Sequence, residues 1–181
     1  VSDYALQESL PHFYINDKEN PYDETKRFDW IRGDIVGGRS LLWARACYRW
    51  SNLDFEANLK DGFGTDWPIR YEDMAAWYSY AERFAGIQGS KEGLDVLPDG
   101  DFMPAMELNC VEKDVAAKIK DHFKGSRHMI IGRSANLTEP HNNRTNCQYR
   151  NRCWRGCPFG GYFSTQSATL PAAMKTGNLT L

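Results

Sequence analysis

Two stretches of the chain repeat apolar side chains at helical spacing. Apolar residues recur every three or four positions over residues 71–84, and Gly86 follows as a helix terminator. A second apolar stripe covers residues 111–124, where Asn109 and Glu112 precede and begin the pattern as a capping box. The pattern therefore predicts helices over 71–84 and 111–124.

Shorter patterns predict the remaining elements. The apolar run at 128–132 is typical of a strand, and residues 164–175 are expected to be helical toward their later end, before a terminal strand at 178–181. Glycine and proline are frequent from 86 to 105, which indicates a surface loop. Residues 1–30 are polar and interrupted by prolines, so we expect mostly loop there. The sequence thus predicts an α+β fold with long loops, two clear helices and short strands.

Composition places the chain among soluble globular proteins. It has 181 residues, 41% hydrophobic and 25% charged, with a net charge of −2. That balance disfavours a nucleic-acid binder driven by overall positive charge. No apolar run approaches the ~20 residues of a membrane span. The chain starts at Val1 and stops where a strand is expected to begin, so we expect a fragment of a longer protein.

Charge is distributed unevenly along the chain. No Asp or Glu occurs from Pro140 to Leu181, whereas five Arg and Lys side chains do. Residues 1–139 carry 17 basic and 24 acidic side chains. Two interpretations stay open: an arginine-rich loop that packs on acidic neighbours, or a site for an anionic group such as a phosphate, a carboxylate or a metal–thiolate cluster.

A glycine pair interrupts the stretch from Ile31 to Trp43. Gly37 and Gly38 permit a positive φ and a close approach of the backbone to a ligand. Ser40 is placed to cap a following helical turn. Such a pair alone is more often only a turn, so its interpretation depends on the residues around it.

The order of motifs around this pair resembles the glucose–methanol–choline (GMC) family of FAD-dependent oxidoreductases, in its bacterial sugar-dehydrogenase-like branch. The resemblance extends from about Ile31 to the C-terminus. Its most specific parts are Gly37–Trp43, Asp66–Tyr71, Cys147–Gly161 and the segments 169–173 and 176–178. The family resemblance implies that the α+β chain is a piece of a larger two-domain α/β protein.

The resemblance also implies a domain division. Residues 1–60 would belong to the FAD-binding domain and include the Gly-Gly flavin loop. Residues 61–135 would form a mostly helical part of the substrate region. Residues 136–181 would form a cysteine-rich loop that returns to the FAD-binding domain.

A set of cofactor contacts follows from the same resemblance. The loop would lie against FAD, near the isoalloxazine and the pyrophosphate arm. The implied FAD-binding residues are Gly37, Gly38, Arg39, Ser40, Leu42 and Trp43. Some relatives attach FAD covalently through a histidine one residue before the tryptophan, and Leu42 occupies that position here, which implies non-covalent FAD. Trp43 would form a wall of the cofactor site or, equally, a core residue.

Two parts of the family pattern are absent from this sequence. The Gly-x-Gly-x-x-Gly fingerprint does not occur, and the catalytic histidine of the family is expected beyond Leu181. The histidines at 12, 122, 128 and 141 have no matching context, so none is assigned as the base. We therefore expect the isolated chain to lack activity and to hold FAD weakly.

Three cysteines form a Cys-x5-Cys-x3-Cys pattern followed by Pro158. Cys147, Cys153 and Cys157 admit four interpretations: reduced thiols in a loop, a disulfide with one odd thiol, a zinc site with His141 as fourth ligand, or an iron–sulfur cluster. A three-thiolate set suits a [3Fe-4S] cluster, whose charge nearby arginines would offset.

The segment 157–162 is similar to the cluster loop of bacterial flavin sugar dehydrogenases that pass electrons to a cytochrome. Its first cysteine gap is five residues, longer than the resemblance would suggest. We expect Cys47 and Cys110 to be buried apolar thiols rather than ligands.

The functional hypothesis is an oxidoreductase that oxidises a CH–OH group by hydride transfer to flavin N5. Its partners would be a small-molecule alcohol or sugar and a cytochrome or other electron-acceptor subunit, with no nucleic acid. One alternative is an iron–sulfur or zinc module whose cysteine loop acts without flavin chemistry. Another is an interaction domain without chemistry.

Overall fold

A computed structural model describes residues 10–181 of the chain. The residues form two compact units, one of Val1–Ala44 with Asn142–Leu181 and one of Arg45–His141. The part of the predicted N-terminal loop at 1–9 lies outside the described residues. The predicted domain division refers to the larger parent fold and stays a prediction.

The 45–141 unit contains four helices in its described residues. They are α1 (Asn52–Phe55), α2 (Ala57–Asp61), α3 (Tyr71–Ala85) and α4 (Cys110–His122). Helix α3 confirms the prediction for 71–84 and ends at Gly86, whose φ of 77° is the left-handed conformation of a terminating glycine. Helix α4 confirms the second predicted helix.

Helix α4 begins with the predicted capping box. The Asn109 side chain accepts a 2.9 Å hydrogen bond from the Glu112 backbone N–H, and the Glu112 carboxylate accepts one of 2.7 Å from the Asn109 N–H. No residue of α4 is buried, and Val111 is 67% exposed. The apolar stripe of this helix is therefore at most half-buried: Val111 and Val115 are exposed, and Ile119 is half-buried.

The strand predicted at 128–132 is wrong. Those residues belong to no ladder; the isolated bridges lie just beyond them and pair Ser134 with Ala46 and with Gln88. Arg133 O accepts a hydrogen bond from Cys47 N at 3.0 Å, and Ala135 N donates to Arg45 O at 2.9 Å. The backbone groups that form these hydrogen bonds therefore belong to residues 133–135 and not to 128–132. Leu137, two positions further on, is buried.

The unit formed by 1–44 and 142–181 contains short helical turns and one longer helical segment. Its 3₁₀ turns are Pro11–Phe13, Gly38–Leu41 and Cys153–Arg155. A π-helical turn at Thr165–Thr169 continues into α5 (Leu170–Met174), which confirms helical structure late in 164–175. Its buried hydrophobic residues are Leu10, Leu41 and Tyr162, and the Tyr162 hydroxyl donates to the Leu41 carbonyl at 3.0 Å.

The terminal strand expected at 178–181 is not formed. In the same unit, Tyr14 and Gly33 form an isolated antiparallel bridge. The assignment of this chain to an α+β fold, as a piece of a larger two-domain α/β protein, stays a prediction. Within the described residues, no helix combines the length and the apolarity needed to cross a membrane.

Candidate functional site

The glycine pair forms a tight left-handed turn. Gly37 has a φ of 97° and Gly38 a φ of 52°, the conformation that glycine adopts without steric cost. The Gly38 N–H donates a 2.7 Å hydrogen bond to the Ile35 carbonyl, and a 3₁₀ turn begins at Gly38. The positive φ expected from the sequence is present at both positions.

The two glycines are needed for different reasons. A Cβ added to Gly37 would lie 3.1 Å from Cγ of Gln166, so this position is closely packed. A Cβ added to Gly38 would meet no heavy atom within 4 Å. Gly38 therefore presents bare backbone to open space, where a flat ligand could approach it.

The turn is fixed by the segment that begins the C-terminal helix. Thr165 N–H donates to Ser40 Oγ at 2.9 Å, and Ser40 Oγ donates to the Gly37 carbonyl. Gln166 Nε2 donates to the Val36 carbonyl at 2.7 Å. Ser40 thus bonds within its own turn and does not cap a following helix; the capping serine is Ser164, whose side chain accepts from Ser167 N.

The residues after the turn pack inward with it. Trp43 is half-buried, and its indole N–H donates to the Phe163 carbonyl at 2.9 Å while the two rings meet edge to face at 6.2 Å. Leu42 is half-buried and Arg39 is exposed. These contacts give Trp43 a packing role, and a contact with FAD stays a prediction for all six residues named from the sequence.

A cleft of about 400 Å³ lies beside this turn, within the range typical of small-molecule sites. We call it the Arg144 cleft. Its lining consists of Leu41, residues 143–145 and 157–160, and Ser164, Gln166 and Ser167. It joins the glycine turn, the cysteine loop and the start of the C-terminal helix.

The cysteine loop enters this cleft through a tight turn. Gly160 N–H donates to the Cys157 carbonyl at 3.1 Å, and Thr145 N–H donates to the Phe159 carbonyl at 2.9 Å. Pro158 occupies the second turn position, where its fixed φ is favourable. The turn is therefore bonded to residue 145, next to Arg144.

Two of the three cysteines, Cys147 and Cys157, lie close to the backbone of Gly161. Gly161 N–H donates to Cys157 Sγ at 3.4 Å, and a Cβ on Gly161 would lie 3.1 Å from Cys147 Cα. Cys153 begins a separate 3₁₀ turn. All five cysteines are free thiols, and the described residues contain no group of three His, Cys, Asp or Glu placed to hold a metal ion.

This arrangement of thiols does not fit a cluster or a zinc ion as it is placed, so no chemical step is derived through either. His141, the candidate fourth ligand, belongs to the 45–141 unit, where its Nε2 lies 2.6 Å from the Arg83 carbonyl oxygen. Metal binding at Cys147, Cys153 and Cys157 stays a prediction from the sequence.

The other two cysteines differ from each other. Burial raises the pKa of the half-buried Cys47 thiol to about 11. Cys110 is exposed, so its prediction as a buried thiol is wrong. It is the first residue of α4, a helix with no buried residue.

Sequence reasoning did not single out two residues that organise the site. The sequence shows Arg144 only as one of five basic residues in the segment 140–181, whereas the structure buries it to 4% exposure. The absence of Asp and Glu from 140–181 was the available signal. The Gln166 side chain is hydrogen-bonded to the Val36 carbonyl, 130 positions away in the sequence, and no local sequence pattern predicts such a contact.

Comparison with known proteins gives a distant relation to a dehydrogenase subunit. No protein-family model matches the chain. The chain is 23% identical over 145 residues to the fructose dehydrogenase large subunit of Gluconobacter japonicus, and the match covers 76% of this chain and 25% of that protein. The match thus spans about a quarter of the relative's length.

Proposed function

We propose that this chain is an internal part of an FAD-dependent oxidoreductase of the GMC type that oxidises a CH–OH group of a sugar, a polyol or another alcohol. The observation that carries the proposal is the similarity to a dehydrogenase subunit over 145 residues. The open backbone at Gly38, in the motif that resembles a flavin loop, supports it independently.

The glycine turn fits the edge of a flavin. Gly38 leaves the space beside its backbone empty, and a side chain there would fill it. Ser40 and Gln166 hold the turn in place through the bonds to Thr165 and Val36. A site fixed by such bonds loses little entropy when a rigid ring binds.

When bound, FAD supplies the redox chemistry by accepting hydride at N5. The residues of this chain border the cofactor and hold its environment. Leu42 occupies the position at which some members of the family attach FAD through a histidine, so the resemblance implies non-covalent FAD. The base that removes the hydroxyl proton belongs to another part of the polypeptide.

The partners follow from the same proposal. The relative is named as a large subunit, and we propose that the parent of this chain likewise passes electrons to a cytochrome or other acceptor subunit. A [3Fe-4S] cluster at the three-cysteine loop stays a prediction from the sequence, because the described thiols are not placed together to hold a metal ion. Iron analysis of the purified parent protein decides whether the loop holds a cluster.

Two matched glycine variants test the flavin contact. In the protein expressed from the full reading frame that contains this sequence, we expect Gly38→Ala to reduce bound FAD several-fold, because the new methyl group occupies the space that the ring needs. Gly62→Ala is the control: Gly62 also has a positive φ, of 67°, and also has no heavy atom within 4 Å of an added Cβ. Both variants therefore carry the same kind of backbone cost.

FAD content per polypeptide, measured after acid release, is the readout. Loss confined to Gly38→Ala supports a flavin at the turn. Equal FAD content in Gly38→Ala, Gly62→Ala and the unmodified protein would place the flavin elsewhere.

A further inference from the structure

The cysteine loop carries arginine and aromatic side chains that face solvent. Residues 148–152 are all exposed, and Tyr149 is 74% exposed. Arg155 and Phe159, further along the same loop, are exposed as well. All of them belong to the unit of 1–44 and 142–181. We define the arginine–aromatic surface as Tyr149, Arg150, Arg152, Arg155 and Phe159.

The described part of the chain does not neutralise the charge of this surface. Arg150, Arg152 and Arg155 form no ion pair among the described residues. No Asp or Glu occurs from 140 to 181, so no neighbour in the sequence offers a carboxylate. For these three arginines, packing on acidic neighbours therefore does not hold, and recognition of an anionic group from elsewhere is the interpretation that stays.

The loop that presents this surface is fixed at both ends. At its start, Tyr149 N–H donates to Cys147 Sγ at 3.4 Å, and Cys147 Cα lies 3.1 Å from the position of a Cβ on Gly161. At its end, the 3₁₀ turn Cys153–Arg155 lies against the turn Gly38–Leu41. A surface whose backbone is already ordered loses little conformational entropy when a partner binds.

The backbone between those ends adopts an unusual conformation. Tyr149 has a φ of 49° and Asn151 a φ of 50°, both in the left-handed region. Asparagine tolerates that region, whereas it is unfavourable for a tyrosine. These two residues alternate with Arg150 and Arg152, and all four side chains are exposed. Such unfavourable conformations concentrate at binding sites, where the surrounding structure holds them.

Arg150 lies beside an aromatic ring of the same surface. Its guanidinium carbon is 5.5 Å from the ring centre of Phe159, which is 40% exposed. A guanidinium in a cation–π contact keeps its planar set of N–H donors, which matches the two oxygens of a carboxylate. Arginine and tyrosine are also among the residue types enriched where protein partners bind most strongly.

We propose that the arginine–aromatic surface binds an acidic patch of a partner protein. Its arginines supply charge and paired donors for Asp and Glu side chains, and its exposed rings supply apolar contact. A nucleic acid or an anionic membrane would extend beyond three arginines and meet a chain whose net charge is −2. A protein can confine its carboxylates to the area of contact. This inference does not depend on the proposed flavin chemistry.

Chemical modification of arginine reads the occupancy of this surface directly. In the protein expressed from the full reading frame, p-hydroxyphenylglyoxal modifies exposed guanidinium groups, and mass spectrometry gives the rate at each arginine. We expect an oligoglutamate peptide, the probe for an acidic partner, to slow modification of Arg150, Arg152 and Arg155 several-fold. Potassium acetate at the same carboxylate concentration leaves the rates unchanged, because separate carboxylates lack the joint contact of linked ones.

Arg127 is the matched reference. It is exposed in the 45–141 unit, and its guanidinium carbon lies 4.4 Å from the ring centre of Phe123, so it too is an arginine beside a ring. Its rate of modification stays the same with the peptide. Equal protection of Arg127 would show general electrostatic attraction and would overturn the proposal.

Two variants test the same point by affinity. The double variant Arg150→Gln with Arg152→Gln should weaken binding of fluorescein-labelled oligoglutamate several-fold in fluorescence anisotropy, because each exposed ion pair contributes modestly. Arg127→Gln leaves the affinity unchanged, and equal losses in the two variants would contradict the proposal. Circular dichroism shows whether the double variant folds. If it does not, the protection pattern of the unmodified protein decides alone.

Other occupants of the surface give distinct results, each of which would overturn the proposal. Protection by polyuridylate or by phosphatidylserine vesicles as strong as that by oligoglutamate indicates a nucleic acid or a membrane. Protection that rises with protein concentration in the absence of peptide indicates a second copy of the chain. Slow modification of Arg150, Arg152 and Arg155 under every condition, while Arg127 reacts, indicates that another part of the polypeptide covers them.

Discussion

Arg49 and Glu82 form a buried ion pair in the 45–141 unit. Arg49 Nε and Nη2 donate to the two oxygens of the Glu82 carboxylate at 2.8 and 2.6 Å, and the side chains are 5% and 10% exposed. Tyr71 and Ser79 accept further bonds from the guanidinium, and Asp101 N–H donates to the carboxylate. Both charges are therefore fully engaged, as burial requires.

Removing one partner of this pair should destabilise the protein strongly. In Glu82→Gln the Arg49 charge stays buried without its counter-charge, which costs about 3–5 kcal/mol of unfolding free energy. Urea unfolding followed by circular dichroism measures the loss. Glu107→Gln, which breaks the exposed pair of Glu107 with Lys113, is the matched control and leaves the urea midpoint nearly unchanged. Similar midpoints for the two variants would show that the Arg49–Glu82 pair does not stabilise the fold.

At the scale of single elements, α4 shows what a local signal can determine. Its cap consists of Asn109 and Glu112, three positions apart, and the helix packs so lightly that none of its residues is buried. A helix with little tertiary support depends on its own capping and side-chain pairs.

The cap of α4 is open to direct test. Asn109→Ala removes the acceptor for the Glu112 N–H and should destabilise the helix by about 0.5–2 kcal/mol. Faster hydrogen exchange of the amides in the following turns measures that loss. Asp114→Ala, which breaks the exposed 2.6 Å pair with Lys118 on the same helix, is expected to change exchange far less. Equal changes in the two variants would contradict a special role for the cap.

The elements predictable from the sequence are those set by local spacing. Helices α3 and α4 carry both their periodicity and their end signals within about fifteen residues. The bridges at Ser134 have no such signal, because Gln88 reaches them from 46 positions away, with its Nε2 bonded to Ser134 Oγ. The apolar run at 128–132 therefore predicted a strand where the structure has none, and only isolated bridges form at Ser134.

The candidate site divides in the same way. Positive φ at Gly37 and Gly38 follows from residue type, and the structure has it. Which glycine faces open space depends on Gln166, far away along the chain, so the sequence could not distinguish the two. The burial of Arg144 likewise depends on Gly160 and the turn after Cys157.

At the scale of the whole molecule, the candidate site residues come from the two ends of the chain. The unit of 1–44 and 142–181 contains the glycine turn, the cysteine loop and the Arg144 cleft. Residues 37 and 166 meet only because this unit folds the ends of the sequence together. The match to the dehydrogenase subunit covers 25% of that protein's length.

The central claim is that this polypeptide binds FAD without a covalent bond, and the flavin content of the full-reading-frame protein tests it most directly. The purified protein should be yellow, with the absorption bands of oxidised flavin, and acid precipitation should release stoichiometric FAD into the supernatant. Anaerobic addition of an oxidisable sugar or alcohol should bleach the longer-wavelength band. A folded, colourless protein that takes up no FAD would contradict the claim, and so would flavin that remains attached to the precipitated protein.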